Sequence, residues 1–298
     1  MADKIIDVDT ILKNDPNIKQ EDIKSMREWL EKQPHLPEIT DLQIILFLQC
    51  CYYRNEAAKI ALDNCFTIKT LCPDIFANRD ANHKDLNLAL NTTLVTTMPK
   101  KTPEGYCVVY TRLVDCNSDN FVLSSHIKYM DMVATHHLCT EGPCKGLVII
   151  NDMEGAVVGH LTKVNIIVAK KLMYYLQEAM PVRLKGIHLI NVVSWVDKLV
   201  AMLKPFMKKE LFELLCIHPK VDDALLKVVF KECLPKELGG TETIAALHEK
   251  IKKAIHNNTE LFKKEEMQKV DETKRPGKAK NVGEIFGIEG TFKKLEVD

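Results

Sequence analysis

Between residues 106 and 217 short apolar runs alternate with longer stretches of helical period, and this alternation organises the chain. Strands are expected at 106–114, 146–151, 185–192 and 214–217, and helices at 121–138, 161–180 and 194–208. Strand followed by helix in repetition implies a largely parallel sheet with crossover helices. Ahead of it, residues 18–71 keep a helical period. Ile23, Met26, Trp29 and Leu30 form one stripe, Pro34 and Pro37 interrupt it, Asp41 opens the run LQIILFLQCCYY, and an Ala-rich segment follows at 56–71. Residues 79–97 read as a further helix and connector, ending where Pro99, Pro103 and Gly105 forbid continuation. After the sheet region, helices are expected at 222–233 and 243–256, separated by the turn LPKELGG. From Lys263 the chain is charged, and KRPGKAKN (274–281) reads as a flexible basic linker. The class is α/β behind an all-helical cap, divided into a helical domain at 1–85, a sheet-bearing domain at 86–258 and a charged tail at 259–298.

The stretch 181–219 carries an unusual helix. Trp195, Leu199, Met202, Leu203 and Phe206 recur at helical spacing, and Val196, Val200 and Met207 widen the stripe beyond what a half-exposed helix needs. Ser194 offers an N-cap, with Asp197 in the acidic position of a capping box. Pro205 cannot donate to the ladder and pushes Lys204 away from helical geometry, so a kink or break is expected before the apolar segment 211–217. A broad apolar helix with a hinge is either core or lid.

Composition narrows the function. Lysine plus arginine and aspartate plus glutamate are each 41, so no whole-molecule field steers the chain to a polyanion, and nucleic acid is not an expected partner. The opening MADKIIDVDT lacks the basic-then-apolar layout of a signal, and no apolar run approaches the roughly 18 residues of a membrane span, so a cytoplasmic protein is expected. None of the ten cysteines falls in a CxxC pair, which fits free, mostly buried thiols.

No phosphate cradle, dinucleotide turn, nucleophile elbow or zincin helix is present as a motif. His136, His137, Cys139 and Cys144 have the ligand types of a zinc site but no familiar spacing, and read more readily as a helix end entering the TEGP turn. Ser124, Ser125, His126 and Asp131 hold the letters of a hydrolase, but neighbours on a helix point different ways. Gly155 and Gly159 form a GxxxG that marks a turn rather than a helix-dimer face.

Several motifs together carry a resemblance: FLQCCYY (47–53) followed by EAAK (56–59), NDMEG (151–155), KGIHLIN (185–191), LKPFM (203–207), LPKELGG (234–240) and the ending GIEGTFKKLEVD. On these the chain resembles the CRAL-TRIO family of lipid-binding proteins, in particular its tocopherol-transfer and retinaldehyde-binding branch. The resemblance implies an N-terminal helical domain packed on a cavity with a mainly parallel sheet as floor, closed by a mobile gate helix at 193–211. By position it implies a pocket lined by Met130, Val133, Leu147, Ile149, Asn151, Val164, Leu172, Tyr175, Leu176, Met180, Val182, Leu184 and Ile187, and a gate of Trp195, Leu199, Met202, Leu203 and Phe206. Asn151 and Tyr175 are the polar positions that would orient a ligand.

In the tocopherol-transfer type a basic cleft reads phosphoinositides. Here Arg183 and Lys185 remain, with Lys204, Lys208 and Lys209 one turn before the gate's other positions, whereas Gln49, Cys51, Tyr52, Glu210, Phe212 and Leu214 stand where basic residues are usual. The function expected is therefore non-enzymatic: intracellular binding and transfer of a tocopherol, retinoid, carotenoid or similar isoprenoid, by a monomer that meets membranes transiently. The alternatives are phospholipid or phosphoinositide exchange, with Arg183, Lys185, Lys204 and Lys208 meeting the membrane, and a zinc- or cysteine-dependent enzyme. No cofactor, catalytic residue or bound metal is expected.

Overall fold

The computed structural model describes residues 2–287, so the ending quoted above lies, from residue 288 on, outside the described residues. The first helices are α1 (Val8–Asn14), α2 (Gln20–Leu30), α3 (Asp41–Cys50), α4 (Asn55–Leu71) and the short α5 (Pro73–Phe76). Thr40 starts α3 with a reciprocal capping box: its hydroxyl accepts from Gln43 N at 3.2 Å, and Gln43 Oε1 accepts from Thr40 N at 3.0 Å. The run LQIILFLQ is then buried on all sides, so α3 is the axis about which the helical domain packs.

Helix α6 (Lys84–Thr92) passes without a loop into β1 (Thr93–Thr97), where a connector was expected. The β-branched run TLVTT favours extended backbone and pairs antiparallel with β2 (Cys107–Leu113), Thr93 opposite Leu113. The remaining elements are α7 (Leu123–Glu141), β3 (Leu147–Asp152), α8 (Val158–Thr162), α9 (Ile166–Glu178), β4 (Leu184–Ile190), α10 (Val196–Leu203), α11 (Lys209–Glu213), β5 (Leu215–Ile217), α12 (Asp223–Val228), α13 (Ile244–Asn257), α14 (Thr259–Met267) and α15 (Val282–Phe286). The single helix expected at 161–180 is two, because Asn165 Oδ1 accepts from Ile167 N and Val168 N and starts α9 afresh. The segment expected as a helix at 222–233 keeps helical form only through Val228 before a 3₁₀ turn at Lys231–Cys233.

The strands lie side by side in chain order, β1-β2-β3-β4-β5, with β2 through β5 parallel. Successive residues of a strand face opposite sides. Ile149, Asn151, Ile187, Leu189 and Leu215 therefore share one face, and Ile150, His188 and Cys216 the other. Leu247, Ile251 and Ile255 of α13 and Phe262 of α14 complete the core around the strands.

The stretch 274–281 is not a flexible linker in this structure. Arg275 donates to Asp63 Oδ2 and Thr67 Oγ1, each at 2.8 Å, and Lys280 Nζ donates to the same Asp63 oxygen at 2.7 Å. Burial would raise the Asp63 carboxyl, but Lys280 and Arg275 outweigh it and hold it below its ordinary range. Further on, Phe286 packs edge-on against Tyr174 of α9, and Lys170 donates to its carbonyl. Two of the stretch's basic residues, Arg275 and Lys280, are anchors, drawn in by one acidic group on α4. Among the described residues no helix is long and apolar enough to cross a membrane.

Candidate ligand-binding site

Helices α7, α9 and α10 enclose a cavity of about 260 Å³ against one face of the sheet. It lies over the carboxyl ends of the parallel strands, where open α/β sheets commonly place ligands. Of the pocket residues expected from the sequence, Met130, Ile149, Asn151, Val164, Leu172, Leu176 and Ile187 are on its wall. Val133, Leu147, Tyr175, Met180, Val182 and Leu184 are not. Leu147 shares the face of Ile149, but it and its partner Leu184 open their strands and so lie at the far end from the hollow. Val133 is buried in the main core, with Met180 and Val182 packed at that core's edge.

Tyr175 faces another hollow altogether. Its hydroxyl donates to Asp131, which also pairs with Arg79 and lies 3.5 Å from Lys69. Burial would raise the Asp131 carboxyl, yet Lys69, Arg79 and the Tyr175 hydroxyl outweigh it and hold it at about 2. These groups line a cleft of about 1020 Å³ between the helical domain and α14, with Met180 also on its wall.

Helix α10, the expected gate, covers the cavity and is less enclosed than its apolar width suggested. Leu199, Val200 and Leu203 face the cavity, Trp195 at its start is 7% exposed, and Asp197, Lys198 and Ala201 face solvent. Met202 and Phe206 of the expected gate are half-buried but off the cavity wall. The helix covers a hollow rather than a packed core, so part of its apolar stripe has no dense partner. No side chain caps α10, and Trp195, not Ser194, occupies the cap position. Lys204 keeps right-handed helical geometry (φ −50°, ψ −40°), and Pro205 changes the ladder instead, into a 3₁₀ turn at Lys204–Phe206.

Apart from Asn151, the cavity's polar residues were not legible as such. His160 Nδ1 meets Val157 N at 3.1 Å and Val157 O at 3.3 Å, while its Nε2 is a buried atom without a hydrogen-bond partner. His126 Nδ1 meets Thr93 Oγ1 at 3.3 Å, and Phe121 lies against both imidazoles with centroids 5.6 Å away. The His126 ring borders the hollow but is removed from bulk water, and that burial pushes it down to about 4. A lone histidine in an apolar stretch gives no pattern that separates wall from core. Beside them Asp152 is fully engaged, accepting from Tyr110 Oη (2.5 Å), Arg112 Nη1 (3.0 Å) and Asn191 Nδ2 (2.9 Å), and so fixes the strand ends that form the floor.

The basic positions are held by aromatic faces. Arg183 lies 4.0 Å from the Tyr52 ring centroid and 5.5 Å from that of Tyr53, two consecutive residues with φ of +55° and +59°. That left-handed backbone is costly for a residue with a side chain, and here it presents both rings to one guanidinium. Lys185 donates to Tyr52 Oη at 2.9 Å, Lys204 sits over Phe212, and Lys208 pairs with Glu178.

The hydrolase letters separate: Asp131 faces the cleft and His126 the cavity. The four candidate zinc residues do not form one cluster: His136 meets Asp3 at 2.8 Å, whereas His137 meets Cys107 Sγ at 3.2 Å and Cys144 hydrogen-bonds the same thiol. Gly155 has φ +82° in a turn, as its reading required.

A family profile described as CRAL/TRIO domain matches residues 91–240, and one described as Pinta-like, UBA domain matches residues 15–86. The chain is 25% identical over 234 residues to alpha-tocopherol transfer protein-like of Mus musculus, covering 77% of this chain and 67% of that protein. It is 22% identical over 236 residues to Clavesin-1 of Xenopus laevis, covering 77% and 70%. Among solved structures, that of Sfh5 aligns with a TM-score of 0.46 at 12% identity, over 78% of this chain and 91% of that one. The first of these profiles spans half the chain, including every strand of the sheet and the lid above it, and the chain belongs to the CRAL/TRIO family.

Proposed function

We propose that this chain binds one hydrophobic small molecule beneath α10 and exchanges it at membrane surfaces when that helix swings away. The observation that carries the reading is the cavity's lining, mostly aliphatic, aromatic and methionine side chains, with Leu199, Val200 and Leu203 of the lid completing it. At about 260 Å³ the cavity falls just below the roughly 300–1,000 Å³ of small-molecule sites, so holding a larger ligand requires the lid and its neighbours to give way. A ligand tail of ~15 carbons gains on the order of 12 kcal/mol gross on burial, enough to retain it and enough to make lid opening the slow step. Val157, Val158, Ile166 and Ile167 are exposed on either side of the wall residue Val164 and supply an apolar rim for meeting lipid. The class proposed is a tocopherol, retinoid, carotenoid or similar isoprenoid carrying one oxygen function, with the unpartnered His160 Nε2 as its hydrogen-bonding group and Asn151 on the same cavity wall. The relative named alpha-tocopherol transfer protein-like agrees with this class. Cytoplasmic, monomeric and non-catalytic action belongs to the same proposal.

The test is uptake of a fluorescent isoprenoid by the purified chain. Leu199→Asp and Leu203→Asp each place a carboxylate on the cavity wall and are expected to abolish uptake, whereas Met202→Asp is expected to spare most of it. Full uptake by both wall variants would refute the lid assignment.

A second reading, phosphoinositide or phospholipid exchange, has one observation in its favour: Arg183 Nε and Nη2 are shielded from water and lack hydrogen-bond partners. A phosphate oxygen would satisfy both. Transfer from vesicles that depends on phosphoinositide content and vanishes with Arg183→Ala plus Lys185→Ala would favour it over the first.

A further inference from the structure

The parallel register of β4 and β5 sets His188 directly opposite Cys216. His218 follows two residues on, its N–H donating to Leu189 O at 2.8 Å, so the ladder continues past the strand's end. By the pleat, His188, Cys216 and His218 emerge together on the side of the sheet away from the cavity, whose wall takes Ile187, Leu189 and Leu215. Their ligand atoms lie within 4.8 Å of one another, and His188 Nδ1 is 3.0 Å from His218 Nε2.

We infer that these three side chains form a zinc-class metal site through His188 Nδ1, Cys216 Sγ and His218 Nε2. Bonds of about 2.0–2.1 Å to nitrogen and about 2.3 Å to sulfur in a tetrahedron put the two nitrogens about 3.4 Å apart, which the imidazoles reach by parting a few tenths of an ångström. Two imidazoles and a thiolate select a borderline ion such as Zn²⁺ over Mg²⁺ or Ca²⁺. The exposed position of Cys216 leaves water to complete the coordination. The outer support is already built. His218 Nδ1 is 3.0 Å from Asp222 Oδ1, and Asp222 is itself fixed by accepting from Leu225 N at 2.9 Å as the cap of α12. Gly186 makes room for the His188 ring, since a Cβ there would come within 2.7 Å of Nε2. The lid segment hangs between His188 and Cys216, so a metal here joins its two anchors and reinforces an edge strand paired over only three residues.

Titration of the metal-stripped full chain with Co²⁺ tests the site. One equivalent is expected to bind, with a thiolate-to-cobalt charge-transfer band that Zn²⁺ bleaches. Cys216→Ser, at an exposed edge, is expected to remove the band without changing the metal-free melting temperature. Asp222→Asn retains a capping oxygen for α12 and is expected to weaken binding roughly 10-fold to 100-fold, and His188→Gln or His218→Gln by more. A charge-transfer band that survives Cys216→Ser, or the lack of stoichiometric binding, overturns the assignment and leaves a hydrogen-bonded imidazole pair.

Discussion

Two hollows of this molecule differ in kind, and the larger of the pair is the poorer site for a lipid. The cleft between the helical domain and α14 holds about 1020 Å³ but is crossed by Arg79, Asp131, Lys69, Glu265 and the Tyr175 hydroxyl, bound to one another. The cavity under α10 holds about 260 Å³ and is lined mostly by hydrocarbon. Charges already paired across a gap resist an apolar guest, because displacing either partner strands the other. Apolar walls resist nothing except water. The kind of atom on the wall, rather than the space between walls, separates a joint from a container.

The largest effect that would sharpen this contrast is on the joint. Arg79→Met leaves Asp131 buried without its main partner and is expected to cost about 3–5 kcal/mol in chemical denaturation, with ligand uptake by the folded fraction unchanged. If uptake fell in step with the network, the two hollows would be one functional unit. Next, Leu172→Trp fills the container and is expected to lower ligand affinity at least about 10-fold, equivalent to about 1.4 kcal/mol, at a stability cost of about 1–3 kcal/mol.

Acid should then dismantle the two regions in sequence. His126 is neutral in the fold to about 4 against an ordinary 6.5, so the unfolded chain binds more protons between those values, and stability falls as pH drops through that window. Each such group contributes a slope of up to about 1.4 kcal/mol per pH unit, and His126→Phe should flatten it in denaturation curves measured across the range. The Asp131 contribution has a different window. Its carboxyl is held at about 2 against 3.8, so that stability is present above 3.8 and is lost only as pH falls toward 2. The smallest effect is at the lid's outer side, where Lys204→Ala and Lys208→Ala should each weaken binding to anionic vesicles by about 1 kcal/mol or less, the difference vanishing in high salt.

Periodicity made the large features legible. The switch from helical period to alternating runs placed the parallel strands and the helical domain, because burial on both sides of a sheet writes itself into consecutive residues. It missed β1, since TLVTT follows α6 without the turn residues that would announce a strand. The cavity wall was legible by face but not by height. Leu147 and Ile149 alternate correctly, yet only Ile149 reaches the hollow at the strand ends. Ligand-type side chains showed the opposite weakness. Spacing along the chain drew attention to His136 through Cys144, whereas the residues that converge, His188 and Cys216, meet through strand register.

The anchored segment from Arg275 to Phe286 has a consequence for how the chain assembles during synthesis. Strands that pair in the order of their sequence can each dock as it leaves the ribosome, and domains generally fold from the N-terminal side first. Asp63 of the helical domain and Tyr174 beside the cavity are joined by a stretch translated after all the strands. The sheet can therefore form while the helical domain and α9 remain without this tie, and the nascent protein passes through a stage in which its container is built but not yet fastened.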